Sequence, residues 1–280
     1  MSNRRHILAL FIMSYIISAC GTQPAPTPTP TEAPPVVTLT ASGSGSVTAV
    51  LSAVAGAFEA ANPGYVLEVL SGTDTGGGVN GTIEGTLDVA AMSRAPRESE
   101  TEQGIEYVDF GTTYTAVITH PGVGVTELTG EQFKAIVTGE ITNWSEVGGS
   151  DLEIVVYVRD PEEGNTTDIR ETYIGDTPFA SSAQIMTSQT DMQTVVSSME
   201  GAIGYGTWAT VLASGAEVVP VTVDGIGVDN APDTLVVTLG IGYLAERASD
   251  VQPLADWLLS EEGRNALEAI GVAPTDEAAS

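Results

Sequence analysis

The chain has little of three things that protein chemistry commonly uses. It holds one cysteine and two histidines in 280 residues, and nine lysines and arginines stand against 37 acidic residues, a formal net charge of −28. A single cysteine, Cys20, excludes an internal disulfide framework. Only His120 lies beyond the first twenty residues, so a serine hydrolase would have almost no base to use, and His120-Pro121 at the end of a predicted strand reads as structural. Gly43-Ser44-Gly45-Ser46-Val47 also breaks the Gly-x-Ser-x-Gly spacing of a nucleophile elbow. No glycine run carries a Walker lysine and no clustered acidic loop of the EF-hand type occurs, so neither a metal nor a cofactor is expected. So acidic a surface repels nucleic acid and anionic lipid. What is present is 42% hydrophobic content, enough to bury a substantial core.

A hydrophobic run of spanning length is also missing. The first apolar stretch, Ile7 to Ile17, has about eleven residues, whereas roughly 20 are needed to cross a bilayer. It follows Arg4 and Arg5 and precedes Ile17-Ser18-Ala19-Cys20, the layout of an export signal over residues 1–20 with Cys20 lipidated as the mature N-terminus. Residues 21–35, GTQPAPTPTPTEAPP, read as an extended tether. The body from residue 36 is expected outside the cytoplasmic membrane, attached through lipid only, and monomeric. Cleavage at Cys20 leaves one lysine and six arginines, so each arginine in a loop draws notice.

Along the body, β-branched runs alternate with helical patterns. Val36–Thr40 precedes a glycine/serine turn and a helix with Val47, Val50, Leu51, Val54 and Phe58 at three- and four-residue spacing, stopped by Asn62-Pro63-Gly64. Tyr65–Leu70, a helix opened by the glycine run through about Glu84, and Leu87–Met92 follow. Further on, Tyr114–Thr119, Glu153–Val158, Gly201–Tyr205 and Leu235–Leu239 read as strands. Thr129 with Gln132 and Thr190 with Gln193 read as capping boxes, and a last amphipathic helix carries Leu254, Trp257, Leu258, Leu267 and Ile270. This alternation predicts an α/β fold with parallel sheet.

In such folds ligands lie at the carboxyl ends of strands, where helix starts present unpaired N–H groups and a partial positive charge. Gly43–Thr48, Thr73–Gly78 and Glu163–Thr167 each place hydroxyls or glycine at a predicted helix start, which suits an oxyanion. Ser93-Arg94 follows the third strand and Arg159 precedes the third loop. Each loop alone reads equally as a helix cap; their convergence is what points to an anion site.

The succession of GSGS, GTDTGGG, LDVAAMSRAPRESE, EQFKAIVTGEITNWSEVGG, GAIGYGTW and ADWLLSEEGRNALEAIGVAPT resembles the substrate-binding lipoproteins of phosphate ABC importers over roughly residues 38–275. The resemblance implies a two-lobed type II periplasmic-binding-protein fold with two hinge strands. Lobe one would hold residues 36–113 and 236–280 and lobe two residues 114–235, with Tyr114–Ile118 and Leu235–Leu239 as hinges. It implies capture of inorganic phosphate between the lobes and delivery to an ABC permease. By position it assigns phosphate contacts to Ser44, Gly45, Ser46, Val47, Thr48, Thr73, Thr75, Ser93, Arg94, Arg159, Asn165, Thr166, Thr167 and Arg170. The second-lobe loop reads Gly164-Asn165-Thr166-Thr167 where the family has Gly-Ser-Gly-Thr, which leaves that half open. Because phosphate keeps a proton near neutrality and sulfate does not, a carboxylate acceptor would separate them, with Asp74 first and Asp168 second. Molybdate, tungstate or sulfate, and a surface sensor or adhesin without transport, are the alternatives.

Overall fold

The computed structural model describes residues 36–161, 163–227 and 230–275; the expected signal segment, Cys20 and the tether lie outside them. Among the described residues no helix is long and apolar enough to cross a membrane. The chain begins β1 (Val37–Gly43), α1 (Gly45–Ala61), β2 (Tyr65–Val69), α2 (Thr75–Ile83) and β3 (Val89–Met92), with β1 parallel to both β2 and β3. A short α3 (Glu98–Thr101) leads into β4 (Ile105–Thr119). There follow β5 (Glu127–Leu128), α4 (Gly130–Thr138), β6 (Val155–Arg159), α5 (Gly164–Ile169), β7 (Gln184–Met186), α6 (Gln189–Ser198), β8 (Ala202–Thr207), α7 (Trp208–Ser214) and β9 (Val219–Val223). The chain then returns through β10 (Val236–Leu244), α8 (Ala248–Leu259), α9 (Glu261–Glu268) and β11 (Ala273–Pro274).

The strands run β2-β1-β3-β10-β4-β8-β6-β7, with β9 and β11 also paired to β4. β4 joins the halves of this two-lobed fold: from Ile105 to Tyr114 it pairs antiparallel with β10, and from Thr115 to Thr119 with β8. Each half keeps its own parallel set, β2-β1-β3 in one and β8-β6-β7 in the other.

The predicted spacing of α1 is realised as a buried stripe of Val47, Val50, Leu51, Val54 and Phe58. Phe58 meets Trp257 of α8 edge-on at 5.8 Å, and these residues share one core with Leu39, Leu239, Leu254 and Leu258. A separate core gathers Phe133, Ile136, Trp144, Ile169, Ile203 and Tyr205. Within it the wholly buried Trp144 satisfies its indole by donating to the Gly201 carbonyl at 2.8 Å. α7 departs from this division. It follows β8 directly, yet Ala209 is fully buried in the α1 core and donates its N–H to the Thr113 hydroxyl at 3.2 Å.

Several elements differ from the sequence reading. β4 begins at Ile105 rather than Tyr114: Ile105–Asp109 shows no clean alternation, with Ile105 buried, Glu106 exposed and the next three residues half-buried, yet it pairs with β10. The capping box at Thr129 and Gln132 forms with both hydrogen bonds, but the one expected at Thr190 and Gln193 does not. Ser188 caps α6 instead, accepting from Asp191 N–H, while Gln193 turns inward and donates to Thr210 at 2.6 Å. The helix after Glu163 is six residues long and passes into a π turn over Arg170–Ile174. The last amphipathic stretch is two helices, broken at Ser260, whose hydroxyl caps α9 by accepting from Gly263 N–H.

Candidate functional site

Carboxyl ends of β1, β2, β3 and β6 open on one cleft of about 760 Å³. On the α1 side Ser44, Gly45 and Ser46 line it. Ser44 is the N-cap but puts no side-chain hydrogen bond on the first turn, so the helix start is left to other acceptors. On the α2 side Thr73, Asp74, Thr75 and Gly76 line it. Asp74 caps α2 by accepting from Gly77 N–H at 2.6 Å, so its carboxylate serves the turn and also faces the cleft. Gly78 has a packing role: a Cβ there would stand 2.6 Å from the Ser42 carbonyl oxygen, so only glycine lets α2 lie this close to β1. Thr75 ties the second loop to the third, its Oγ1 accepting from Ser93 N–H at 3.2 Å and lying 3.1 Å from Ser93 Oγ.

Arg94 lines the cleft while its guanidinium forks onto Glu100, Nη1 2.8 Å from Oε2 and Nη2 2.7 Å from Oε1. This hydrogen bond above all, helped by the Arg97 N–H and opposed by burial, holds the Glu100 carboxyl down at about 2. The same pair raises the pKa of Arg94.

From the other half Asn165 and Asp168 of α5, with Asp160, Glu163, Gly164 and Gln189, complete the lining. Asn165 is buried; its Nδ2 donates to Thr115 Oγ1 at 2.7 Å and to Thr207 Oγ1 at 3.2 Å. Thr115 in turn donates to Asp168 Oδ2 at 2.7 Å. Burial pushes the Asp168 carboxyl up to about 6, against the effect of that hydrogen bond and with a further push from Glu171.

Ten of the anticipated side chains or backbone positions therefore share one cleft: Ser44, Gly45, Ser46, Thr73, Asp74, Thr75, Ser93, Arg94, Asn165 and Asp168. Six do not line it. Val47 is wholly buried in the α1 core, and the Thr48 hydroxyl bonds back to the carbonyls of Ser44 and Gly45. Thr166 pairs with the Tyr205 hydroxyl at 2.8 Å, and Thr167 bonds the Glu163 carbonyl on the outer side of α5. Arg170 turns away to stack over Phe179 at 4.6 Å and to donate to the Gly175 and Thr177 carbonyls. Arg159 lies beneath the surface, 4% exposed, donating to Glu163 Oε1 at 2.7 Å and to the Met186 carbonyl. Arg97, Asp160 and Gln189, with Thr115 and Thr207 behind the lining, were not singled out from sequence.

The cleft is thus rich in neutral donors, while its charged lining is mixed: Arg94 and Arg97 against Asp74, Asp160, Glu163 and Asp168. Among the described residues no group of three or more His, Cys, Asp or Glu could hold a metal ion. His120 is taken up structurally, its Nδ1 accepting from Gly122 N–H at 3.0 Å.

A family model described as a PBP superfamily domain matches residues 28–256. The chain belongs to the PBP superfamily. Among solved structures of this superfamily fold, one described as a phosphate ABC transporter substrate-binding protein with bound phosphate, from Clostridium perfringens, is 28% identical with a TM-score of 0.69, covering 86% of this chain and all (100%) of the other. Two curated relatives named phosphate-binding protein PstS also match. The one from Borreliella burgdorferi is 34% identical over 94 residues, 34% of each chain. The one from Bacillus subtilis is 27% identical over 155 residues, 55% of this chain and 51% of the relative. The matches thus span about a third to a half of these relatives' length.

Proposed function

We propose that this PBP superfamily member captures inorganic phosphate in the cleft, outside the cytoplasmic membrane, and delivers it to the membrane subunits of an ABC importer while held to the membrane by lipid on Cys20. One observation carries the reading: the starts of α1 and α2, the Ser93-Arg94 turn and Asn165 at the start of α5 converge on a single cleft lined by hydroxyl, backbone N–H and guanidinium groups. Such a set suits a small tetrahedral oxyanion, which offers acceptors on every side. The names of the Clostridium, Borreliella and Bacillus proteins support phosphate as that anion and ABC import as its destination. Capture requires no covalent step. The lobes, 36–113 with 236–280 and 114–235, close by bending at β4 and β10, and the anion's bonds to both favour the shut form.

Titration calorimetry of the purified body tests this. Phosphate and arsenate are expected to bind, with sulfate and molybdate weaker; tighter binding of either of the latter would replace phosphate in the reading, and no binding of any of the four would refute it.

Selectivity falls to the cleft carboxylates. Asp168 ionises as pH passes through about 6, and above that it is an acceptor-only group beside the anion. Asp168→Asn is therefore expected to lose part of the preference for phosphate over sulfate at pH 8 and little of it at pH 5, by calorimetry at both values. An equal change at both would exclude the ionised carboxylate as the cause. The stability sign is opposite to that of a salt-bridged acid. Since the folded carboxyl titrates near 6 and the free one at 3.8, wild type loses stability as pH rises through that window, and the amide variant does not.

A further inference from the structure

Gln189, the first residue of α6, is 6% exposed and stands where the two lobes meet. A Cβ added to Gly206 of β8 would lie 3.0 Å from its Oε1, and one added to Gly45 of α1 would lie 3.8 Å from its Cγ. The side chain thus occupies a slot between one glycine of each half. Its Nε2 donates to Asn165 Oδ1 and reaches Ser46 Oγ and Thr207 Oγ1 at 3.5 Å each. Ser46 Oγ and Thr207 Oγ1 are themselves joined across the lobes at 2.7 Å. Gln189 Oε1 is buried and has no hydrogen-bond partner among the described residues. Leaving a buried acceptor unpaired is costly, so the orientation is fixed by what Nε2 gains, not by Oε1.

We propose that Gln189 is a positioning residue of the anion site: wedged between Gly45 and Gly206, its carboxamide fixes Asn165 and the Ser46 hydroxyl, and through Asn165 the Thr115–Asp168 and Thr207 hydrogen bonds, so that the linings of both lobes face the anion in one geometry. By accepting Gln189 Nε2–H on Oδ1, Asn165 has its amide plane set, and its Nδ2 is thereby aimed at Thr115 and Thr207, buried behind the cleft lining. Ser46 sits at the start of α1 and takes the same carboxamide as a neighbour. Gly206 is glycine on this account because any side chain would push Gln189 out of its slot. The part concerning anion affinity rests on the phosphate reading above; the part concerning Asn165 does not.

Gln189→Met keeps the volume of the side chain and removes its hydrogen bonds. With inorganic phosphate as probe it is expected to lose about tenfold in affinity in the wild-type background and less than about threefold when Asn165→Ala is already present, with the thermal midpoint little changed. Unchanged affinity, or the same loss in both backgrounds, would overturn the proposal, because a residue that only supports the fold does not couple to Asn165. Gly206→Ala, which adds a methyl whose nearest atom is Gln189 Oε1, is expected to lower affinity in the same direction and serves if Gln189→Met does not fold. A ligand-free readout separates this inference from the phosphate reading. By NMR, the Asn165 side-chain amide protons are expected to exchange with water about tenfold faster in either variant than in wild type. Unaltered exchange overturns the positioning role even if phosphate binds, and a wild-type chain that binds no oxyanion refutes the phosphate reading while this measurement still decides the role of Gln189.

Discussion

Arg94→Met is expected to lose both fold stability and anion affinity. Methionine preserves the apolar stem but leaves Glu100, 7% exposed, without the fork that neutralises it. Removing one partner from this partly buried, charge-assisted pair costs about 2 kcal/mol, and denaturant unfolding at pH 7 would read it. The sign with pH is fixed by Glu100. Its folded carboxyl titrates at about 2 against 4.5 when free, so the stability it gives wild type is present above 4.5 and fades as pH falls toward 2. The gap between wild type and variant should therefore narrow in acid. For phosphate, loss of a charge-assisted donor is expected to weaken binding by about 100-fold. A variant that keeps both properties would remove Arg94 from the site and from the fold's account of Glu100.

The second large effect is expected from Asn165→Ala. The amide is the donor that ties Thr115 of β4 to Thr207 at the end of β8, and its truncation leaves Gln189, Thr115 and Thr207 with hydrogen-bonding capacity facing a void. Phosphate affinity should fall by about 100-fold, against a stability loss of about 1–3 kcal/mol that a thermal scan would register separately. Full retention of affinity would confine the anion to the donors on α1, α2 and the Ser93-Arg94 turn.

The first half of the cleft could be read from the sequence because its donors are local. Ser44 to Ser46 and Ser93-Arg94 follow a strand directly and Thr73 to Thr75 after three residues, and helix geometry puts consecutive first-turn residues at the same end. The second half resisted because α5 is six residues long and its neighbours in sequence face opposite ways: Asn165 reaches Thr115 while Thr166 reaches Tyr205. Which face looks into the cleft depends on how β4, β6 and β8 come together, and residue order does not carry that. The scarcity of cations singled out Arg94, which lines the cleft, and Arg159, which does not, and the resemblance added Arg170; Arg159 and Arg170 are engaged by Glu163 and Phe179, and composition does not reveal such pairing. Gln189 had no signal at all, since it lies inside what reads as an ordinary helix entry and matters through residues distant in the chain, Gly45, Ser46, Asn165 and Gly206.

The course of α7 limits how this protein can be divided. The polypeptide leaves β8, hands Ala209 to the opposite core and only then returns to β9, so the α1 half is completed by material encoded within the other. A gene fragment holding the α1 half alone would yield a product with an unfilled interior. Insertions meant to separate the halves would meet the same obstacle at Trp208, where the chain crosses between them.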